Sequence, residues 1–355
     1  MSVAAKSGSA GRDRAVQQDG GSKLRWFVLA FCLVWLFFTL FPIYWTFITS
    51  FKPPAAVSGG PTYLPFLDFS PTLQAYVDAL SGIRGDFLKP FINSTLIGLS
   101  ATFLSVLVGS MAAYGLVRFD FQVRLASGLI FVVIVFALFF GLPKLGLTRI
   151  QGIGIALIVG LAAALLANRL RLPGPVLSNR DVLFWFVSQR MLPPIVTAFS
   201  LYLLYSEIGR AGLVMLDTYW GMTLAYTAFS IPIVVWLMRD FFAALPVEIE
   251  EAALIDDVPR LRIFFQIVVP MVMPGLIATS MITLAFVWNE FLFALLLTTS
   301  NWQTLPILIA GQNSYRGDEW WSISVAAVVS IAPMIVMAYF LARMMRAGLT
   351  IGGIR

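Results

Sequence analysis

The sequence has no histidine and a single cysteine, Cys32, in 355 residues. Without histidine, the Ser-His-Asp and Cys-His groupings of nucleophilic catalysis are excluded. The two scarcities together exclude a His/Cys metal site. Cys32 has no partner for an internal disulfide and reads as a small core or lipid-facing residue. Charge is scarce too, with only 12% of residues charged. The net charge of +6 comes without a concentrated basic face on a soluble segment, so no nucleic-acid partner is expected. The Gly-x4-Gly-Lys-Ser/Thr phosphate loop is absent, so the chain is not expected to hydrolyse ATP itself. No cofactor bound by this chain is expected, and no catalytic constellation stands out within its apolar runs.

What the chain has is hydrophobic length. Hydrophobic residues make up 59% of it, and its mean hydropathy is +0.87. That balance points to an all-α integral membrane protein. Each crossing takes about 20 apolar residues, and the runs divide into about eight transmembrane helices.

Residues 1–24, rich in Ser, Gly, Ala and Gln, read as a disordered cytoplasmic tail. The apolar run 26–49 is too long for the core of a cleaved signal peptide. Lys23 and Arg25 place its N-terminal side in the cytoplasm. Residues 50–88 suit an external loop, and 93–116 form a second span that ends before Arg118 and Arg124, so 25–124 hold the first two spans. Spans at 125–142 and 150–167 follow, and a cytoplasmic loop with Arg169, Arg171 and Arg180 completes a 125–182 segment. The fifth span, 183–205, contains Pro193 and Pro194, which predict a kinked or broken helix. Spans at 218–237, 271–297 and 321–342 complete a 183–346 region, with an external loop at 298–320. A tail at 347–355 follows. An even number of spans puts both termini in the cytoplasm, in keeping with Arg343 and Arg346 after the last one.

The polar stretch 246–274 interrupts the hydrophobic second half. Pro246 suits a first helical position. Glu248, Glu250 and Glu251 complement the dipole of a short helix that ends near Asp257. A second short helix is expected from Pro259 to about Val269, because a residue before proline leaves the α region.

Glu251, Ala252 and Ala253, followed by Asp256, Ile267, Pro270 and Pro274, resemble the EAA loop of binding-protein-dependent ABC importer permeases. Other motifs point to the maltose-transporter-type carbohydrate permeases, specifically the second permease subunit. They include Asn93 and Ser94; Ala113, Tyr114 and Gly115 through Phe119; and Met191, Leu192, Pro193 and Pro194. Ile231 and Pro232, Val235 to Leu237, the run from Val287 to Leu295, and Gly348 to Thr350 also fit. The resemblance covers about 26–124 and 183–355.

This resemblance implies the transmembrane domain of a type I ABC importer in the bacterial inner membrane. The six core spans would carry an inserted two-span hairpin at 125–182, read as peripheral and lipid-facing. It implies a non-catalytic permease with four partners: a second homologous permease, two ATPase subunits that hold ATP and Mg, and an external substrate-binding protein. The coupling segment, 246–270, would dock on an ATPase through Glu250, Glu251, Ala252, Ala253, Leu254, Ile255, Asp256, Asp257 and Pro259. An amphipathic helix lying on the membrane surface is the competing reading. Asp257 stands where the family usually has glycine, and Asp257 with Pro259 must then make the turn. The loop between the last two spans would meet the binding protein through Gln303, Thr304, Leu305, Gln312 and Asn313. The tail at 347–355 would reach between the ATPase subunits.

Ionisable residues within spans usually face a cavity or a polar partner. Asn289 and Glu290 are therefore candidate pathway residues, with an interhelical hydrogen bond as their alternative role. Gln189 and Arg190 are further candidates, although Arg190 also fits an interfacial positive charge. An ion-coupled secondary transporter of small polar solutes is the alternative function. It would call for several intramembrane carboxylates, where Glu290 stands essentially alone.

Overall fold

A computed structural model describes residues 7–82, 87–120, 122–142, 149–170, 174–315 and 319–351. The chain forms two compact units, 1–84 with 317–329 and 85–316 with 330–355.

In the first unit, α1 runs Ser7–Thr49. The disordered tail expected at 1–24 is helical over its described part. Alanine, arginine and glutamine within 10–18 are good helix formers, and the apolar span that follows supplies the costly nucleus. The expected loop at 50–88 is folded around two short helices, α2 (Pro54–Ser58) and α3 (Gln74–Leu80). Lys52 Nζ donates to the Thr62 carbonyl at 2.6 Å and lies 4.0 Å from the Trp45 ring centroid.

The second unit is built around α4 (Leu88–Arg118) and α9 (Tyr219–Ala243), which share its largest helix contact. Their approach is close because small residues line α4. Ser94, Gly98, Ala101, Ser105, Gly109 and Ala113 are all buried, at intervals of three or four residues. A Cβ on Gly109 would stand 2.7 Å from Val234 Cγ1, so only glycine permits this contact.

Between them in sequence lies a two-helix hairpin. Strand β1 (Val123–Arg124) pairs antiparallel with β2 (Val176–Leu177) at its base. Helices α5 (Leu125–Gly141) and α6 (Arg149–Arg169) pack chiefly on each other. Next come α7 (Asn179–Ser188), a 3-10 turn at Gln189–Met191 and α8 (Pro194–Arg210). The bend between the two halves is 95°. Leu192 is extended before Pro193, as the proline pair predicts, and the break is far sharper than a kink.

After α9 come α10 (Val247–Ile255) and α11 (Arg260–Ile263), a π-helical segment Phe264–Val268, and α12 (Val269–Met271). Helix α13 (Met273–Trp288) follows at an 83° bend. The last elements are α14 (Leu292–Leu297), α15 (Leu305–Tyr315) and α16 (Trp320–Ile351). Two expectations are corrected here. The span expected at 271–297 is interrupted between Trp288 and Leu292, and the loop expected at 298–320 contains α15. The first change comes from a side-chain carboxylate that holds backbone amides, described below.

Among the described residues, five helices are long and apolar enough to cross a membrane, and each bent pair, taken as one crossing, raises the number to seven. The shorter apolar helix α5, with 17 residues, pairs with α6 in the hairpin. The chain is thus a helical, multi-pass membrane protein.

Two apolar clusters fill the second unit. One joins Tyr114 on α4, Val234, Met238 and Phe242 on α9, and Ala253, Ile263 and Phe264 from the 246–274 stretch. The other joins Ile97, Ala198, Tyr205, Met222, Tyr226, Phe293 and Leu297.

Candidate functional site

The 246–274 stretch folds as two helical pieces joined by a tight turn. Pro246 is the N-cap of α10, and Glu248 and Glu250 lie in the first turn, where carboxylates suit the helix dipole. The helix ends at Ile255, and Asp257 adopts a left-handed φ of 54°. The Asp257 and Val258 N–H groups close the turn onto the carbonyls of Leu254 and Ala253, each at 3.1 Å. Pro259 then caps α11 and accepts from the N–H groups of Arg262 and Ile263. Aspartate tolerates this conformation better than most residues, so Asp257 makes the turn expected of a glycine.

Helix α10 has two unlike faces. Glu250 and Ala253 point inward and are buried. The Tyr114 hydroxyl donates to Glu250 Oε2 at 2.5 Å, and Arg118 Nε donates to Oε1 at 2.7 Å. Arg118 Nη2 also donates to the Leu245 carbonyl at 3.0 Å, just before the helix. Tyr114 and Arg118 are four residues apart on the last turns of α4, so one face of that span grips α10. The Tyr114 ring packs 5.0 Å from Phe264 and 5.7 Å from Phe242. Glu250 and Ala253, expected to face an ATPase, are therefore corrected to internal anchors. Burial of Glu250 is explained by its cationic and hydroxyl partners, without which a buried carboxylate is costly.

The outward face carries Glu251, Ala252, Leu254, Ile255, Asp256, Asp257 and Pro259, all exposed. Ile255 keeps 82% of its surface exposed, beside a carboxylate at Glu251 that has no ion-pair partner among the described residues. This face combines an apolar knob, a small residue and an open charge on a helix rigidly tied to a span.

The pathway candidates separate. The Glu290 carboxylate accepts backbone N–H bonds from Leu292 and Phe293 at 2.9–3.0 Å, and from Ala294 at 3.4 Å. It caps the N-terminus of α14 and causes the break after α13. The Tyr226 hydroxyl of α9 also donates to the Glu290 carbonyl at 3.4 Å, an interhelical hydrogen bond of the kind expected as its alternative role. Asn289 is exposed, and its amide folds back onto the Ala285 carbonyl at 2.9 Å. Gln189 lines a cavity of about 540 Å³ with Arg190, Trp185, Thr197, Ser200 and Phe229 among its walls.

The loop after α14 is held from both sides. Asp217, at a φ of 53°, accepts from the backbone N–H groups of Ser300, Asn301 and Trp302 and from the Thr299 hydroxyl. Partial burial of Asp217 raises its pKa, but these four donors outweigh that and draw it down to about 2. The Asn93 amide donates to the carbonyls of Asn301 and Gln303, and Ser94 Oγ accepts from the Leu305 N–H at 2.8 Å. Thr304 and Leu305, expected to meet a binding protein, are instead buried against α4. Gln303 is partly exposed, with its amide on the Thr299 carbonyl. The side chains of Gln312 and Asn313 lie outside the described residues.

Sequence reasoning missed the Tyr114–Arg118–Glu250 network and the Asp217 clasp. The first had a signal, an i, i+4 Tyr/Arg pair at the end of a span facing a downstream cluster of glutamates. The second had none, because a lone Asp before a span is common.

A model of the family described as "Binding-protein-dependent transport system inner membrane component" matches residues 152–350. A probable ABC transporter permease protein of Sinorhizobium fredii is 28% identical over 94% of this chain and 94% of its own length. The trehalose/maltose transport system permease protein MalG of Thermococcus litoralis is 28% identical over 89% of this chain and 91% of its own. Among solved structures, a chain of a bacterial ABC transporter involved in import of the acidic polysaccharide alginate aligns with a TM-score of 0.58. That alignment covers 91% of this chain and 97% of the other at 17% identity, which shows a shared fold.

Proposed function

Since the chain belongs to the family of binding-protein-dependent transport system inner membrane components and has the fold of a type I ABC importer transmembrane domain, we propose that it is one permease subunit of an ATP-driven carbohydrate importer. A carbohydrate cargo is supported by relatives such as the trehalose/maltose permease. The chain is non-catalytic in this reading. Two ATPase subunits bind ATP and Mg, a second homologous permease completes the pore, and an external binding protein delivers the cargo. Both termini and the 246–274 stretch lie in the cytoplasm.

The observation that carries the coupling mechanism is the two-faced helix α10. Its inner face is locked to α4 through Glu250, Tyr114 and Arg118. Its outer face offers Glu251, Leu254 and Ile255. A partner that grips the outer face moves α4 with it, because a buried, charge-assisted network transmits displacement rather than absorbing it. Closure of the ATPase pair would thus become rotation of the core helices. The binding protein meets the part of the 299–313 loop that remains exposed, with Gln303 the contact among the described side chains. Gln189, open to the cavity, is the pathway residue carried forward.

The test is uptake by vesicles holding this chain, its partner permease and its ATPase, with the binding protein outside. Labelled sugar is expected to accumulate only with ATP on the ATPase side and with binding protein present. Accumulation driven by a proton or sodium gradient without ATP would contradict the reading.

A further inference from the structure

We propose that Arg190 is an anion-recognition residue in the transport cavity and that the cargo is an acidic carbohydrate, bearing a carboxylate, sulfonate or phosphate. This rests on the reading of the chain as a carbohydrate importer permease.

Arg190 sits at the 3-10 turn between α7 and α8, on the wall of the 540 Å³ cavity. That volume falls within the range of small-molecule sites, about 300–1,000 Å³. The guanidinium is partly buried and permanently charged. Its carbon centre lies 4.7 Å from the Phe229 ring centroid and 5.4 Å from that of Phe286. Among the described residues it has no hydrogen bond and no carboxylate partner. Arg118, likewise part-buried in this unit, has both.

A cation within a span is costly unless it is paired. The two rings lie within cation–π reach of the guanidinium, and its edge, with the fork of N–H donors, makes no hydrogen bond among the described residues. That edge matches a two-oxygen acid group in bidentate geometry, which a lone cation–π contact does not use.

The neighbouring polar groups are open as well. Some hydroxyls on the helices turn back onto the carbonyl four residues earlier, as at Thr95, Ser105, Thr227 and Ser280, whereas others, such as Thr102 and Thr283, have no partner among the described residues. Thr197 and Ser200, on the cavity wall, make no side-chain hydrogen bond among the described residues. The same holds for the Gln189 amide. Three uncommitted polar groups near an uncommitted cation, with the Trp185 ring on the same wall, form a surface for a sugar ring with one acid substituent. The hydroxyls and amide meet sugar hydroxyls, the indole meets the apolar ring face, and Arg190 meets the anion.

The experiment compares the complete importer with its R190Q and R190K variants in vesicles of phosphatidylcholine, with and without phosphatidylglycerol. The probes are glucuronate, glucose 6-phosphate and 6-sulfonated glucose, beside glucose and maltose. R190Q is expected to lower uptake of the acidic probe that the wild type carries by about 10- to 100-fold, the loss of hydrogen bonds to a charged group. R190K should retain part of that uptake. The loss should be selective: the ratio of acidic to neutral uptake should fall by at least about 10-fold in R190Q, and equally in both lipid mixtures. Equal loss of neutral and acidic uptake would assign Arg190 to packing or to the second permease and overturn the proposal. A loss seen only with phosphatidylglycerol would assign it to lipid phosphate, and unchanged uptake would leave it no role in transport; either result overturns the proposal. A wild type that imports neutral sugars and no acidic one overturns this proposal while the carbohydrate reading stands. A wild type that imports no sugar with ATP overturns both.

Discussion

Glu250 and its neighbour Glu251 differ by one position and do opposite things. Glu250 is buried against Arg118 and Tyr114, and Glu251 is open. Removing one partner of a buried ion pair leaves the other charge uncompensated, at about 3–5 kcal/mol. Glu250→Ala should therefore lower the unfolding midpoint of the purified importer markedly. The double variant E250A/R118A should lose much less than the sum of the single changes, a coupling that a thermal double-mutant cycle reads directly. Asp257 gives a milder case. Its left-handed φ suits glycine, so Asp257→Gly should leave transport intact, whereas Asp257→Val should cost about 1–2 kcal/mol. The Asp257 turn was legible because aspartate two residues before a proline signals a break. Which of three glutamates turns inward was not, since it is settled by Arg118, 132 residues away. Asp217 adds a pH effect. Its pKa of about 2 lies below an unfolded value of about 3.9, so its contribution is present above pH 4 and is lost as pH falls through 2. Asp217→Asn should loosen the 299–302 loop at neutral pH, seen as faster proteolysis or amide exchange there.

At the scale of elements, proline breaks were readable and carboxylate breaks were not. Pro193 and Pro194 announce the bend between α7 and α8. The break after α13 has no proline. It exists because the Glu290 carboxylate takes the amides that the helix would otherwise bond. An intramembrane glutamate reads as a pathway residue from sequence, because its backbone partners depend on a fold that the glutamate itself creates. Glu290→Gln keeps one acceptor oxygen, so ATP-driven uptake should persist, and Glu290→Ala should cost about 0.5–2 kcal/mol of stability as a lost cap. An ion-coupled pathway through Glu290 would instead be abolished by the glutamine. The α5–α6 hairpin was legible as two apolar runs of even number. The β1–β2 ladder that closes it was not, because two-residue strands carry no periodicity. Arg124 pairs with Val176 at its base, so the ends of the hairpin already lie side by side. Replacing 125–175 with a two-residue Asn-Gly turn, which favours such a hairpin, should therefore leave assembly and uptake intact, as vesicle transport would report.

For the whole molecule, the order of spans and the polar break at 246–274 were available from hydropathy and charge alone. Its family membership rests on motifs spread across the chain and on the match over 152–350. What the structure adds is the mechanical tie. Helix α10 is joined to α4 on one side and open on the other, the arrangement a coupling element needs. The most direct test is the substitution Glu251→Lys in the complete importer, with sugar uptake and ATP hydrolysis measured on the same preparation. A coupling role predicts that uptake falls to background while the ATPase subunits still hydrolyse ATP without stimulation by the binding protein. Uptake at the wild-type rate with normally stimulated hydrolysis would contradict it.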